Sequence, residues 1–215
     1  MNHLAIIADG NRRWAAAYNL PKAAGYYQGL LTIERIGTWA IKKGIKFITL
    51  YCFSTENWSR PKEEIDSLKD LATDYFDRQG KWYLKNNIKT IFSGRKDRLD
   101  AHLLERIERL EDMTKDCDGL NMIFCIDYGG RDEIVRAIAT GARTEEELDC
   151  VISKGIPHPD AILRTGGQQR LSNFMLWQSA YSELFFVDYF FPELDDKKLN
   201  KVVEDFNARK RNYGG

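Results

Sequence analysis

The chain is poor in the residues that build the commonest catalytic and metal centres. Its 215 residues hold three histidines, His3, His102 and His158, and four cysteines, Cys52, Cys117, Cys125 and Cys150. No two cysteines form a C-x-x-C pair and none has a histidine at metal-ligand spacing. A zinc centre and a disulfide framework are therefore excluded, and reduced, mostly buried thiols are expected. No histidine stands in a nucleophile motif, which removes Ser-His-Asp and Cys-His mechanisms. No apolar run approaches the ~20 residues that span a bilayer; the nearest, around 184–191, is interrupted by Asp188. Charge of one sign is missing too. Lys and Arg total 32 against 32 Asp and Glu, which argues against binding nucleic acid through bulk positive charge. Neither G-x-x-x-x-G-K-[ST] nor a post-strand G-x-G-x-x-G occurs, so the usual nucleotide loops are absent as well. A positive n-region with a long apolar h-region is also lacking, because Asp9 follows 3–8 directly; a cytoplasmic location is expected.

What is present is an alternation of short apolar runs with longer stretches of helical period. That is the pattern of an α/β protein with a mostly parallel central sheet covered by helices. Strands are expected at 3–8, 47–53, 90–93, 122–126 and 161–165, with a short one at 184–187. Helical period is clearest at 32–43, 62–85 and 99–113; in the last, Leu99, Leu103, Ile107, Leu110 and Met113 recur at spacings of three and four. Pro61 after Ser59, with Glu63 and Glu64 behind it, predicts a capped helix start. Repeats and linkers are absent, so residues 1–215 read as one domain.

Charge concentrates after three of the strands. Asp9-Gly10-Asn11-Arg12-Arg13-Trp14 follows the first, and such a loop suits a phosphate: glycine lets the backbone approach, helix-start N–H groups point outward, and guanidiniums neutralise. Asp9 has the wrong sign for an anion site unless a divalent cation bridges it to the phosphate, and hard oxygen ligands favour Mg²⁺. Ser54-Thr55-Glu56-Asn57-Trp58-Ser59-Arg60-Pro61 follows the second strand. Arg164-Thr165-Gly166-Gly167, then Arg170, Ser172 and Asn173, follow the fifth. In a parallel sheet the carboxyl ends of adjacent strands share one crevice, so the three loops can converge. Trp14, Trp58, Phe53 and Phe174 flank them, which points to an amphiphile with a diphosphate head and a hydrocarbon tail.

These residues resemble the cis-prenyltransferases, specifically the undecaprenyl diphosphate synthase-like isoprenyl transferases. The likeness rests on Asp9-Gly10-Asn11 with Arg13-Trp14, on 53–58 with Arg60-Pro61, on Tyr128-Gly129-Gly130-Arg131, on Arg164 to Gly167 with Arg170 to Phe174, and on Trp177 with Tyr181, Glu183 and Leu184. It implies a Mg²⁺-dependent homodimer with a hydrophobic tunnel. Such an enzyme condenses isopentenyl diphosphate with an allylic diphosphate, farnesyl or geranyl, making each new double bond cis. By motif match, Asp9 positions Mg²⁺ and the departing diphosphate, and Glu183 is a second metal-linked carboxylate. Gly10, Asn11, Arg12, Arg13 and Trp14 bind the allylic diphosphate, with Lys22 and Tyr26 nearby. Arg164, Arg170, Leu171 and Ser172 hold isopentenyl diphosphate. Ser54 and Asn57 assist proton removal, Glu56, Trp58 and Arg60 organise their loop, and these three with Thr55 belong to the substrate-binding set. The segment 209–215 resembles a closing motif that reaches across a dimer. The helix 62–85, with Ile65, Leu68, Leu71, Tyr75 and Phe76, is the candidate tunnel wall. A greasy product implies peripheral membrane contact at release, although no basic amphipathic anchor stands out.

The chain departs from the family pattern at Lys22 and Tyr26, where relatives carry arginine and histidine. Gln168 and Gln169 replace an acidic residue and a histidine, Asp127 replaces an asparagine, and the stretch from Arg131 to Arg164 is short. A lysine still binds phosphate, though not bidentately. Three rivals stand beside the synthase reading. A non-catalytic subunit would lose Asp9 and the Arg164 motif, which are intact. An irregular-coupling family member is disfavoured by the intact 54–58 segment. A nucleic-acid binder lacks its charge footprint.

Overall fold

The apolar runs become six strands in a computed structural model that describes residues 1–210. They are β1 (His3–Ile7), β2 (Phe47–Ser54), β3 (Ile88–Ser93), β4 (Leu120–Tyr128), β5 (Ala161–Arg164) and β6 (Glu183–Phe186). One sheet results, in the order β3-β4-β2-β1-β5-β6, and every pairing is parallel. Helices α1 (Asn11–Ala17), α2 (Lys22–Lys43), α3 (Lys62–Lys85), α4 (Ala101–Thr114), α5 (Gly130–Ala139), α6 (Glu145–Ser153) and α7 (Asp196–Ala208) surround it.

Strand period sorts the core into two layers. Leu4, Ile6, Ile48, Leu50, Met122, Phe124 and Leu163 face Ile33, Ile36 and Trp39 of α2, Tyr83 of α3, Ile107 of α4 and Phe206 of α7. Each fully buried large side chain contributes on the order of 1.5–3 kcal/mol, so this thick face carries most of the stability. Ala5, Ile7, Tyr51, Ile123, Cys125 and Ile162 point the other way, onto Phe174 and Met175. The β2–β4 register slips between Tyr51 and Phe53. That irregularity breaks the alternation, so Phe53 packs with the thick layer instead of following Tyr51.

Several expectations need correction. Helix α2 begins ten residues before the expected position 32, at Lys22, because Gly25 and Gly29 dilute its helical signal. A Cβ on Gly25 would overlap the Asn11 carbonyl, so glycine here lets α2 lie against the start of α1. Ser59 does not cap α3. Pro61 occupies the N-cap position, and the Ser59 hydroxyl donates instead to the Glu56 carbonyl at 2.8 Å. Helices α5, α6 and α7 stand where no helix was expected. Among the thiols only Cys125 is buried; Cys117 is intermediate, and Cys52 and Cys150 are exposed, all four unpaired. Of the 209–215 motif, Arg209 donates to the Glu183 carboxylate and lies 4.1 Å over the Phe185 ring; residues 211–215 lie outside the described residues. Among the described residues no helix is long and apolar enough to cross a membrane.

Candidate active site

The sheet order makes β2, β1 and β5 neighbours, and the three charged loops leave their carboxyl ends side by side. Between them opens a cavity of about 730 Å³. Asp9, Asn11, Ser54, Glu56, Asn57, Arg60, Arg164, Arg170 and Ser172 line its polar part. Below them its wall is apolar: Leu30 and Ile33 of α2, Ile65, Leu68, Leu71 and Ala72 of α3, then Leu99, Leu103 and Phe191. The tunnel wall expected from α3 is present, with Tyr75 and Phe76 buried in the core one turn beyond the last lining residue. The opposite wall from α2 was not expected.

Asp9 is the hub of the mouth. Its Oδ2 accepts from Arg164 Nη2 at 2.9 Å and its Oδ1 from Arg13 Nη2 at 3.2 Å. Thr165 Oγ1 donates to the Asp9 carbonyl at 2.7 Å, which fastens the loop to β5. Gly10 adopts φ +104°, and a Cβ there would stand 2.6 Å from the Phe190 ring, so the turn requires glycine. Arg13 lies 5.4 Å over that same ring. Arg164 is only 5% exposed and also donates from Nη1 to Ser172 Oγ at 2.7 Å and to the Arg170 carbonyl. Its Nε has no partner. Ser172, Asn173 and Met175 all hold positive φ, a run of strained backbone that fixes the loop carrying Arg170. Arg170 donates to Gln168 Oε1 at 2.6 Å, so Gln168 braces the arginine it flanks.

The second loop is tied down at both ends. Ser54 and Asn57 form a capping box: the Asn57 Oδ1 accepts from the Ser54 N–H at 3.1 Å, and the Ser54 hydroxyl accepts in return. Glu56 accepts from Asn173 Nδ2 at 2.8 Å, joining this loop to the third. Burial would raise the Glu56 pKa, but hydrogen bonds from Asn173, its own backbone, Ser54 and Thr55 outweigh that, and the pKa is lowered. Trp58 donates to Asp127 Oδ1 at 2.8 Å, with Lys69 and Arg98 5.5 and 5.6 Å from its ring. Cys52 is exposed and lines the cavity, and desolvation by the protein around it pushes its thiol pKa up.

One residue was missed from the sequence. Glu64, in the first turn of α3, accepts from Arg12 at 3.3 Å, from Arg60 at 3.4 Å and from the Tyr26 hydroxyl at 3.0 Å, with Lys22 Nζ 3.5 Å away. Desolvation opposes its charge, but Tyr26, Arg12, Arg60 and Lys22 win and its pKa is lowered. Burial in turn pushes the Tyr26 phenol up to about 12. Arg12 and Lys22 therefore join the site through Glu64 rather than by lining the cavity. Trp14 packs on Tyr18 at 5.0 Å, and Leu171 packs into the thin-face core; neither lines the cavity, and neither does Thr55. Glu183 stands apart. It is level with Ala161 and Leu4, so about 15 Å of strand separates it from Asp9, and its described partner is Arg209.

The family model described as "Putative undecaprenyl diphosphate synthase" matches residues 7–214. The chain belongs to this family. Among its relatives, the isoprenyl transferase of Fusobacterium nucleatum is 40% identical, over 99% of this chain and 95% of that protein. The isoprenyl transferase of Wolinella succinogenes is 42% identical, over 100% and 97%. Among solved structures, a probable undecaprenyl diphosphate synthase from Campylobacter jejuni aligns with TM-score 0.85 at 34% identity, covering 100% of this chain and 99% of that one. The lavandulyl diphosphate synthase of Lavandula x intermedia, in complex with dimethylallyl diphosphate, aligns with TM-score 0.96 at 30% identity, covering 100% and 98%. As a member of the undecaprenyl diphosphate synthase family the chain is a prenyltransferase, and isoprenoid diphosphates are its class of substrate.

Proposed function

We propose that this enzyme condenses isopentenyl diphosphate with an allylic diphosphate, farnesyl or geranyl, to give a cis-polyprenyl diphosphate such as the undecaprenyl lipid carrier. The observation that supports this best is one continuous cavity with arginine-bearing loops at its mouth and hydrocarbon walls beneath. Its volume lies in the range of ligand pockets, roughly 300–1,000 Å³.

Arg12, Arg13 and Lys22, with Gly10 and Asn11, would hold the allylic diphosphate while Arg164, Arg170 and Ser172 hold isopentenyl diphosphate. Fixed cations favour the state in which charge collects on the leaving diphosphate, so they lower the barrier to breaking the allylic C–O bond. Ser54 and Asn57, braced against one another, assist loss of the proton from the isopentenyl unit. The walls from Leu30, Ile33, Leu68 and Leu71 exclude water from the allylic cation and take up the growing chain. Asp9 fits a hard cation in one respect. Its carboxylate lines the polar part of the cavity, and Mg²⁺ prefers one or two carboxylates plus substrate oxygens. When bound there, Mg²⁺ would neutralise developing charge on the diphosphate. A metal role for Glu183 requires a second copy of the chain to bring it to Asp9, and the reading includes such a homodimer in the cytoplasm that touches the membrane at product release.

Labelled isopentenyl diphosphate incubated with farnesyl or geranyl diphosphate tests the proposal. A ladder of butanol-extractable products is expected with Mg²⁺, absent after chelation, and reduced about 10²–10³-fold in Asp9→Ala. No incorporation with any allylic starter would refute it. The likeness to lavandulyl diphosphate synthase favours a second reading, irregular coupling of two allylic units. Product from dimethylallyl diphosphate alone would decide for that reading.

A further inference from the structure

Three cations from three separate segments meet on one carboxylate at the cavity mouth. Arg12 comes from α1, Lys22 from the start of α2 and Arg60 from the turn before α3, and Glu64 receives all three together with the Tyr26 hydroxyl. The layering is ordered. The Glu64 side chain is 9% exposed, whereas Arg12 is 49% and Lys22 66% exposed. The carboxylate lies beneath Arg12 and Lys22, which face the solvent from which a ligand arrives, while Arg60, 27% exposed, lines the cavity. Both arginines meet Glu64 through Nη1. A guanidinium carries five N–H donors and an ammonium three, so donors remain for a second anion. Three positive charges and one negative leave a formal +2 in this cluster, the sign that a diphosphate requires.

We propose that Glu64 is a positioning residue for the allylic diphosphate: it gathers Arg12, Lys22 and Arg60 onto one point from beneath and so sets the cationic cradle before the ligand arrives. This deepens the synthase reading above and rests on it for the identity of the ligand. The network also ties the first turn of α3, whose next turns carry the wall residues Leu68, Leu71 and Ala72, to the head-group cradle. Without Glu64, three like charges repel one another and separate.

The sign of one substitution separates this role from a rival. If Glu64 were only an anion competing with the ligand, Glu64→Gln would bind diphosphate more tightly, since the site would gain net positive charge. A positioning role demands the opposite. Calorimetry with an allylic S-thiolodiphosphate, whose C–S bond does not ionise, reads the effect without turnover. Inorganic diphosphate, titrated with Arg170→Ala in both proteins compared, reads the same cradle without the hydrocarbon. Expected is about tenfold weaker binding of both probes in Glu64→Gln, near 1.4 kcal/mol, with isopentenyl diphosphate binding changed less than twofold. Glu64→Asp should fall between. Adding Arg12→Gln to Glu64→Gln should weaken binding by less than the sum of the two separate losses. Equal or tighter binding in Glu64→Gln, or an equal loss for isopentenyl diphosphate, overturns the proposal. Loss of inorganic diphosphate in a protein whose parent neither binds the thiolo analogue nor incorporates isopentenyl diphosphate would uphold Glu64 and sink the synthase reading.

Discussion

At the scale of single residues, the loop that bears Ser54 and Asn57 is held through one indole. Trp58 donates to Asp127, a carboxylate with no exposed surface, which also accepts from Arg98 Nε at 2.8 Å and from its Nη2. Removing Arg98 leaves a buried charge with one neutral donor, so Arg98→Met should cost about 3 kcal/mol in urea unfolding. Asp127→Asn keeps an acceptor for Trp58 and buries no charge. It should cost less, and it should rescue Arg98→Met when the two are combined. A double variant as unstable as Arg98→Met alone would contradict this account. The sequence made Asp127 visible as a departure from the family pattern but not its partner, because Asp127 lies in β4 and Arg98 on the loop between β3 and α4. Glu64 was hidden for a related reason. A carboxylate in the first turn of a helix is fully explained by the helix dipole, and only the packing of α1 and α2 reveals its second duty. Asp9, Arg164 and Ser172 were legible because their chemistry sits in contiguous loop motifs.

At the scale of elements, α3 is both a wall and a lever. Its apolar lining residues Ile65, Leu68, Leu71 and Ala72, with Lys69 among them, form one stripe of a helix turned toward the cavity. Leu71→Trp should fill part of that space and shorten the longest product by one or more isoprene units, read by reversed-phase sizing; an unchanged ladder would remove α3 from length control. The long periodic helices α3 and α4 were visible in sequence because their apolar stripes are regular. Helix α2 was legible only in its second half, since close packing on α1 demanded the glycines that weaken its pattern. Short helices α5 and α6 escaped because a few turns with one buried face resemble an irregular loop. Strand β1 carries a pH dependence of its own. His3 is buried with Nδ1 2.6 Å from the Pro157 carbonyl and Nε2 2.8 Å from Thr49 Oγ1. Burial lowers its pKa from 6.5 to about 4, against the smaller raising effect of the Pro157 bond. The folded state therefore resists a proton that the unfolded state takes. This stability is present above pH 6.5 and is lost as pH falls toward 4, by about 3 kcal/mol in all. Urea unfolding at pH 7 and pH 4.5 should show most of that loss, and His3→Gln should show a smaller one.

At the scale of the whole molecule, the mouth unites α1, α2, α3, β1, β2 and β5, so a ligand seated there braces most of the fold. An allylic diphosphate at 100 times its Kd should add about 2.7 kcal/mol, which raises the midpoint of thermal unfolding by roughly 5–10 °C. The shift should disappear in a variant that cannot hold the head group. The parallel α/β class and the convergence of three loops were legible because buried parallel strands read as continuous apolar runs; the strand order was not, since it depends on which strands pair rather than on what any one contains. That order also bears on how the chain is made. β1 is flanked by β2 on one side and by β5 on the other. A ribosome delivers the first neighbour early and the second only after residue 161 has been translated. Until then the centre of the future sheet has an open, apolar edge, a template for pairing with other nascent chains. Vectorial synthesis thus leaves the strand that leads into Asp9 half sheltered for most of translation, and messages truncated before β5 should yield insoluble fragments rather than a smaller folded core.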